Sequence, residues 1–407
     1  MTAPREIMES FPLQGEDGRD GCGETTVVSP GQRTADASTA RGTQTDRPAR
    51  FVQDCAFVIN GRFLSQPVTG VQRYAREITA AMDDWLGQSN RRARLLAPRN
   101  VRKAPDYGSI DVARAGSLKG HLWEQVELPL QADQPILNLC NTGPVLSAAK
   151  IVCIHDVNVF QEPDSYSRAF RLLYKALLPA LARTAAHVTT VSHASRAQIA
   201  RFLPIEPKRI AVMPNGHEHV FRWEQRLSPL AKTMQDGRAF VFLLGSRARH
   251  KNVGLVLQQA EALDALGLDI VVAGAGASIF PDVREVRRPN IRWLGRVSDN
   301  DLAFLYSRAL CLAFPSRSEG FGLPLVEAMA LGCPVVSSDC GSMAEVCGDA
   351  ALLASPDDPA AWRRHFLSLA QSASLRTELA ARGLERVKRF SWSESSRAYL
   401  ELNGCWA

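Results

Sequence analysis

The chain has 407 residues, of which 45% are hydrophobic and 22% are charged, and its formal net charge is +6. That length is long for a single hydrophobic core, so two domains of about 150–200 residues are expected. The composition is ordinary for a globular protein. A net charge this small does not call for a nucleic-acid partner, and no apolar run approaches the ~18 residues that a membrane span needs.

The cysteines and the N-terminal segment bear on the compartment and on where the folded part begins. The nine cysteines are odd in number and include no C-x-x-C pair, which is typical of buried thiols in a reducing compartment. Residues 1–50 are rich in Gly, Thr, Ser, Asp and Arg and are predicted to be a disordered tail. No apolar signal-peptide core occurs near the N-terminus. We therefore expect a cytoplasmic protein that begins to fold near residue 51.

Short apolar runs alternate with helical patterns in the first half of the chain. Strands are predicted at residues 55–59, 95–97, 136–139, 151–154, 188–191 and 210–213. Helices are predicted at residues 71–86, 168–183 and 193–202. A polar stretch at residues 225–238 then interrupts the alternation.

The same alternation resumes after this break. Strands are predicted at residues 240–244, 269–272, 291–294, 311–314 and 334–337. Helices are predicted at residues 253–266, 299–306, 323–331 and 359–388. Alternating strands and helices predict two doubly wound parallel sheets. We expect a first domain at residues 51–224, a second at 225–390, and a helix at 391–407 that packs back on the first.

The stretch from Ser316 to Glu327 carries the most chemical information. It places two carboxylates, Glu319 and Glu327, around a glycine turn that leads from a strand into a helix. Such an arrangement binds anionic groups, because free N–H groups of the first helical turn point at the ligand. Two acids at the rim would repel a bare phosphate. The ligand is therefore expected to carry hydroxyls as well as phosphate, as a nucleotide-sugar does.

A basic loop follows the first strand of the second half. Its turn is formed by Gly245 and Ser246, and its charged or titratable residues are Arg247, Arg249, His250 and Lys251. Arginine and lysine at a strand's carboxyl end would neutralise a diphosphate. A solvated surface loop is the alternative interpretation.

Three other features lie at strand ends or helix starts. His155 follows a strand and would contact a sugar hydroxyl, or else serve only as a turn residue. Gly70 precedes a helix and would let the backbone approach a phosphate. A G-x-G sequence at residues 274–276 lacks the third glycine of a dinucleotide fingerprint, because Ile279 stands there.

One predicted helix has a basic face formed by Arg168, Arg171 and Lys175. This pattern is compatible with an anionic membrane surface, although a solvated charged face is commoner. No residue cluster has metal-ligand spacing, and no Asp-x-Asp motif occurs, so no metal site is expected.

In their order along the chain these motifs resemble the retaining glycosyltransferases of family 4, which have the GT-B fold of two facing Rossmann-like domains. The resemblance runs from about residue 54 to the end. It implies that residues 51–224 form the acceptor-side domain and residues 225–390 the nucleotide-sugar-binding domain. Its pieces include Asn60-Gly-Arg-Phe-Leu, Thr69-Gly-Val-Gln-Arg-Tyr, Ile154-His-Asp, Val191-Ser-His-Ala-Ser195, Met213-Pro-Asn-Gly216, Lys251-Asn252, Val297-Ser-Asp299, the Glu319 to Glu327 block and Glu345-Val. The motif that begins at Thr69 is similar to bacterial mannosyltransferases that build O-antigen or exopolysaccharide.

The resemblance implies a role for each matching residue. Glu319 would lie beside the donor sugar, Glu327 would bind the ribose hydroxyls, and Lys251 would hold the departing diphosphate. His155 would contact the sugar from the opposing domain. Arg247 is the favoured second cation, with Arg249 and His250 as alternatives. Further contacts to the donor would come from Gly70, Gly245, Ser246, Val297, Phe321, Gly322 and Leu323.

The implied activity is transfer of a hexose, mannose favoured, from a nucleotide-diphosphate sugar such as GDP-mannose, with retention and without a metal or other cofactor. The acceptor would be a saccharide or a polyprenyl-diphosphate-linked saccharide in bacterial surface polysaccharide biosynthesis, with peripheral membrane contact as an option. Use of a UDP- or dTDP-sugar is the first alternative. An NAD-dependent oxidoreductase and a non-catalytic scaffold are alternatives from other classes.

Overall fold

Two parallel β-sheets organise the part of the chain that the computed structural model describes, residues 53–147, 149–234, 237–245, 248–274 and 288–404. The tail predicted at residues 1–50 lies outside these ranges. Both doubly wound sheets predicted from the sequence are confirmed.

The first sheet has seven strands in the order β3-β2-β1-β4-β5-β6-β7, all of them parallel. They are β1 Gln53–Asn60, β2 Arg91–Pro98, β3 Ile110–Ala115, β4 Ile136–Asn138, β5 Lys150–Cys153, β6 His187–Thr190 and β7 Ile210–Val212. The helices of this domain are α1 Gly70–Gln88, α2 Gly120–Leu122, α3 Leu128–Gln131, α4 Asn158–Gln161, α5 Arg168–Thr184 and α6 His193–Phe202. A π-helical turn, Trp123–Glu127, joins α2 to α3.

The second sheet has six parallel strands in the order β10-β9-β8-β11-β12-β13. They are β8 Phe240–Gly245, β9 Asp269–Gly274, β10 Ile291–Gly295, β11 Cys311–Phe314, β12 Val335–Ser338 and β13 Leu352–Ala354. The helices are α7 Leu230–Thr233, α8 Val253–Leu257, α9 Ala260–Ala265, α10 Asp299–Arg308, α11 Leu323–Ala330, α12 Gly341–Cys347, α13 Pro359–Gln371, α14 Ala373–Val387 and α15 Trp392–Leu402.

The strand sequences follow from the burial of both sheet faces. In β1 the side chains of Phe57, Val58 and Ile59 are all fully buried, although neighbours along a strand point to opposite faces. Helices cover both faces of a parallel sheet, so its central strands are apolar throughout. None of the cysteines in the described ranges forms a disulfide.

The last helix, α15, returns to the first domain. The hydroxyl of Tyr399 lies 3.0 Å from that of Tyr74 on α1, and the indole N–H of Trp85 donates to the carbonyl of Ser393 at 3.1 Å. The chain therefore crosses between the domains a second time, at the position where a helix at residues 391–407 was expected.

Two helices were predicted as continuous, and each is divided into two helices in the structure. The helix predicted at residues 359–388 is divided into α13 and α14 at Ser372, whose Oγ accepts the backbone N–H of Leu375 and thereby caps α14. The helix predicted at residues 253–266 is divided into α8 and α9 by a turn at Gln258 and Gln259. Strands β3 and β13 and helix α12 were not predicted.

Candidate functional site

A cavity of about 370 Å³ lies between the two domains, beyond the carboxyl ends of their strands. Its walls include Gly70 and Arg73 of α1, His155 after β5, Lys251 after β8, and residues 319–324 and 327. Ligands of doubly wound sheets bind at this end of the strands. Most of the residues singled out by sequence are therefore brought together.

The glycine turn before α11 shapes one wall of the cavity. Gly322 has a φ of 94°, in the left-handed region that a side chain would strain. It precedes Leu323, the first residue of α11, and Phe321 also lines the cavity. Within the first turn of α11, Pro324 has no N–H and the N–H of Leu325 donates to the carbonyl of Gly322 at 2.9 Å. The N–H of Leu323 is therefore the one that this turn offers at the wall, together with the positive end of the helix dipole.

Lys251 and Glu319 form an ion pair at the cavity wall. The Nζ of Lys251 donates to Oε1 of Glu319 at 2.5 Å, and the ammonium also lies 5.7 Å from the centre of the Phe314 ring. The pair therefore holds a cation beside the turn that precedes α11.

Glu327 is buried and held by two neutral donors. His219 Nε2 donates to Oε1 at 3.0 Å, and the Tyr306 hydroxyl donates to Oε2 at 3.2 Å. Burial, followed by the charge of Glu327, raises the pKa of Tyr306 well above its ordinary value, so the phenol stays protonated.

The proton position of His219 follows from its second contact. The indole N–H of Trp392, which can only donate, lies 3.0 Å from His219 Nδ1. Nδ1 therefore accepts, and the imidazole is neutral with its proton on Nε2, facing Glu327. Trp392 belongs to α15, so the returning helix fixes the orientation of a carboxylate in the cavity wall. Sequence reasoning identified Glu327 but not His219 or Trp392.

His155 lines the cavity from the first domain. Its Nε2 donates to the carbonyl of Leu139 at 2.9 Å, and its ring packs edge-on against Tyr74 with 4.7 Å between centres. These contacts fix the plane of the ring. The next residue, Asp156, also lines the cavity, and burial raises the pKa of its carboxyl above the ordinary value.

The remaining predicted residues lie outside the cavity wall. Gly245 ends β8 and Val297 packs on the hydrophobic core, and neither lines the cavity. His250 turns toward the first domain, where its Nδ1 lies 3.1 Å from the hydroxyl of Ser165, and Arg249 is exposed. Ser246 and Arg247 fall outside the described residues.

Arg73 is a cavity residue that sequence reasoning missed. Its guanidinium donates to Asp299 at 2.5 Å and lies 5.5 Å from the centre of the Trp223 ring. Arg73 follows Gly70 by three residues on α1 and therefore lies on the same helix face. This spacing is the sequence signal that could have identified Arg73 as a cavity residue.

The two domains also touch at the glycine turn. The hydroxyls of Ser192 and Ser195 donate to the carbonyl of Gly320 at 2.7 and 2.8 Å. A Cβ built on Gly320 would lie 2.6 Å from the carbonyl oxygen of His155. Ser192 directly precedes α6 and Ser195 lies in its first turn, so the start of this helix is joined to the loop that carries Glu319.

Within the described residues, no group of three or more His, Cys, Asp or Glu side chains is placed to hold a metal ion. Nor does any helix in those ranges combine the length and the apolar character needed to cross a membrane.

Comparisons with known proteins agree with this geometry. The family described as "Glycosyl transferases group 1" matches residues 237–372. O-antigen chain mannosyltransferase B of Escherichia coli is 32% identical over 255 residues, which cover 60% of this chain and 66% of the relative. O-antigen chain mannosyltransferase RfbU of Salmonella typhimurium is 29% identical over 236 residues, 57% of this chain and 63% of the relative. The matches thus span just under two thirds of the length of these two relatives.

Solved structures show the same fold. Anabaena Alr3699/HepE in complex with UDP and glucose superimposes with a TM-score of 0.63 at 16% identity, covering 86% of this chain and 99% of that one. The chain thus has the two-domain GT-B fold, and its residues 237–372 match the glycosyl transferases group 1 family.

Proposed function

We propose that this protein is a retaining α-glycosyltransferase that moves a hexose, mannose favoured, from a nucleotide-diphosphate sugar to a saccharide or lipid-linked saccharide in bacterial surface polysaccharide biosynthesis. The carrying observation is the Lys251–Glu319 pair beside the N-terminus of α11, with His155 opposite. Mannose is favoured because two proteins similar to this chain, from Escherichia coli and Salmonella typhimurium, are O-antigen mannosyltransferases.

Charge separation is the chemical problem that this site would solve. Breaking the bond between the sugar and the diphosphate leaves positive charge on the ring and negative charge on the leaving group. An incoming diphosphate would compete with Glu319 for Lys251, and the backbone N–H groups of Gly322 and Leu323 would hold other phosphate oxygens. Fixed donors of this kind stabilise developing charge because they need not reorganise during the reaction.

Glu327 suits the recognition of the nucleoside rather than proton transfer. Each of its oxygens already accepts one hydrogen bond from a neutral donor and can accept another. Two ribose hydroxyls would supply those remaining bonds. His155, held by the carbonyl of Leu139, would contact the sugar from the first domain.

Retention would follow from attack on the same face that the diphosphate leaves. The acceptor oxygen bonds to the anomeric carbon, the bond from that carbon to the phosphate oxygen breaks, and the acceptor proton passes to the departing phosphate. In this scheme Lys251 takes the place of a divalent metal. Full activity in the presence of EDTA is therefore expected.

Peripheral contact with an anionic membrane belongs to the same proposal. Arg168 and Lys175 are exposed on α5 and Arg171 is half-buried. The ring of Tyr174 on α5 lies 6.1 Å from that of His121, measured between ring centres. The segment that follows His121 carries a strip of exposed apolar side chains, Leu122, Val126 and Leu130. Sedimentation with phosphatidylglycerol vesicles, compared with phosphatidylcholine vesicles, tests the contact. Equal binding to both, or no change on replacing Arg168 and Lys175 by Glu, would contradict it.

A donor screen tests the activity. Wild-type protein is incubated with GDP-mannose, UDP-glucose or dTDP-glucose, and release of the nucleoside diphosphate is measured. We expect turnover of GDP-mannose, loss of that turnover in Lys251→Ala and Glu319→Ala, and wild-type turnover in the matched control Lys208→Ala, whose side chain is exposed. Wild-type turnover in Glu319→Ala would overturn the proposal, and preference for another donor would remove the mannose assignment.

A further inference from the structure

The start of α6 in the first domain needs hydrogen-bond acceptors from outside the helix. The first N–H groups of any helix have no partner within it. In α6, the N–H of Ser195 donates at 2.9 Å to the side chain of Ser192, the residue that precedes the helix. The N–H groups of His193 and Ala194 are left for a partner from elsewhere in the chain.

A carboxylate of the second domain is that partner. Oε1 of Glu345 on α12 accepts the N–H of His193 at 2.9 Å, and Oε2 accepts the N–H of Ala194 at 2.8 Å. The helix dipole also favours negative charge at this end of α6. One side chain of the second domain therefore caps a helix of the first.

The helix that carries Glu345 is held firmly in the second domain. The side chains of Met343 and Val346 on α12 are fully buried. Arg386 on α14 donates from Nε to the carbonyl of Val346 at 2.9 Å, and from Nη2 to the carbonyl of Glu345. The carboxylate of Glu345 thus projects from a helix whose own position is set by the second domain.

The loop that carries Glu319 lies between these two helices. The hydroxyl of Ser342 on α12 donates to the carbonyl of Glu319 at 2.9 Å. The hydroxyl of Ser195 on α6 donates to the next carbonyl along the loop, that of Gly320, at 2.8 Å. Consecutive carbonyls of one loop are therefore held by helices of opposite domains, and Glu345 joins those two helices directly.

Both bonds of Glu345 depend on closure of the two domains. A hydrogen bond of this kind is lost when its donor and acceptor are more than about 3.5 Å apart. Separation of α6 from α12 by roughly 1 Å would therefore break both bonds, and water would solvate the carboxylate and the two N–H groups. The cap exists only in the closed arrangement, so it stabilises that arrangement over an open one.

We propose that Glu345 is a positioning residue, which holds the two domains closed during transfer by capping α6 from α12. The inference rests on the proposed glycosyl transfer, because closure is what brings His155 of the first domain opposite Lys251 of the second. Glu345 does not line the cavity. It acts through the two helices that hold the backbone of Glu319.

Two substitutions remove the cap from opposite sides. Glu345→Gln keeps the size of the side chain but removes its charge and one of its two acceptor oxygens. His193→Pro removes one of the two N–H donors, and proline suits the first position of a helix. The imidazole of His193 is exposed, and Ser192 before it has a ψ of 161°, which a following proline accepts. The matched control is Glu378→Gln on α14, where the side chain is exposed.

Scattering and kinetics test the proposal together. Small-angle X-ray scattering, with and without GDP, measures closure, and initial rates with GDP-mannose and methyl mannoside measure transfer. We expect Glu345→Gln and His193→Pro each to increase the radius of gyration and to lower kcat/KM about 5-fold to 30-fold, with wild-type affinity for GDP. The double variant should lose less than the product of the two single losses, because both changes remove the same contact. Glu378→Gln should behave as the wild type does.

The possible outcomes separate this inference from the proposed function. Wild-type rates in His193→Pro, or losses that multiply in the double variant, would overturn the cap, because Glu345 would then act within its own domain. A wild-type radius of gyration in both single variants would overturn it as well, even if their unfolding temperatures fell. Wild-type protein that neither binds GDP nor turns over GDP-mannose would remove the proposed function, and scattering from the ligand-free proteins would then decide the cap alone.

Discussion

The contact between Gly320 and His155 offers a direct way to hold the two domains apart. An alanine Cβ at residue 320 would lie 2.6 Å from the carbonyl oxygen of His155, and ordinary contact begins at 3.4 Å. The two backbones must therefore separate by about 0.8 Å, the difference between 3.4 and 2.6 Å. Gly320 does not have a positive φ, so an alanine adds this contact without backbone strain.

The cost can be worked from the contacts that this separation disturbs. The hydrogen bonds from Ser192 and Ser195 to the Gly320 carbonyl contribute about 1 kcal/mol each, and overpacking adds about 1–2 kcal/mol. A loss of about 3–4 kcal/mol in the closed state lowers kcat/KM roughly 160-fold to 900-fold. Both domain cores are unaffected, so the unfolding temperature should stay near that of the wild type.

The assay compares Gly320→Ala with a matched control. Gly254→Ala makes the same substitution in α8 of the second domain, where a Cβ meets nothing within 4 Å. We expect initial rates of nucleoside diphosphate release to fall only in Gly320→Ala, with GDP affinity, measured by calorimetry, close to wild type in both. Wild-type kcat/KM in Gly320→Ala would refute the reasoning that this contact belongs to the active arrangement.

Three further predictions address the cavity and its support. Lys251→Ala should weaken GDP binding about tenfold or more by calorimetry while guanosine, which lacks phosphates, binds as before; equal weakening of both ligands would contradict the assignment. Trp392→Phe leaves Nδ1 of His219 unsatisfied and should lower the free energy of unfolding by about 1–3 kcal/mol, together with a loss of GDP affinity; unchanged values would contradict this. The Nε of Arg62 donates to Oε1 of Glu124 at 2.9 Å, and both side chains are buried. Glu124→Gln leaves the buried charge of Arg62 without its partner and should lower the free energy of unfolding by about 3–5 kcal/mol at pH 7. Because the folded pKa of Glu124 is lowered, its stabilisation is present above the unfolded pKa of about 4.5 and is lost as pH falls through the folded pKa. The deficit of the variant in urea unfolding should therefore shrink on acidification, and a deficit that does not depend on pH would contradict the ion pair.

The sequence predicted those parts of the site whose residues lie close together along the chain. The buried strand Cys311–Phe314, the glycine turn and α11 follow one another directly, so the order of residues alone places Glu319 and Gly322 at the strand end. The same holds for Lys251, which follows a strand end. Periodicity also predicted most strands, because fully buried parallel strands are apolar at every position.

The contacts that hold Glu327 could not be predicted in this way. His219 lies 108 residues from Glu327 along the chain, and Trp392 lies 173 residues from His219. No local pattern connects such residues, since packing of α15 against the first domain brings them together. A cavity of the first domain lined in part by Arg62, Asn141 and Tyr174 was missed for the same reason, because these residues come from separate elements.

The helix breaks were missed for a different reason. Apolar spacing continues across residue 372 and gives no sign of an interruption. The available signal was Ser372 itself, since serine is favoured at helix N-caps. Capping residues inside a long periodic stretch therefore carry as much information about helix ends as the period does.

The stereochemistry of the transferred sugar tests the central claim most directly. Wild-type protein is incubated with GDP-mannose labelled at the anomeric carbon, a methyl hexopyranoside acceptor and EDTA, and the anomeric configuration of the new linkage is determined by NMR. We predict an α-linked product, which preserves the configuration of the donor and forms without a divalent metal. A β-linked product, or transfer that appears only when a divalent metal is restored, would contradict the account.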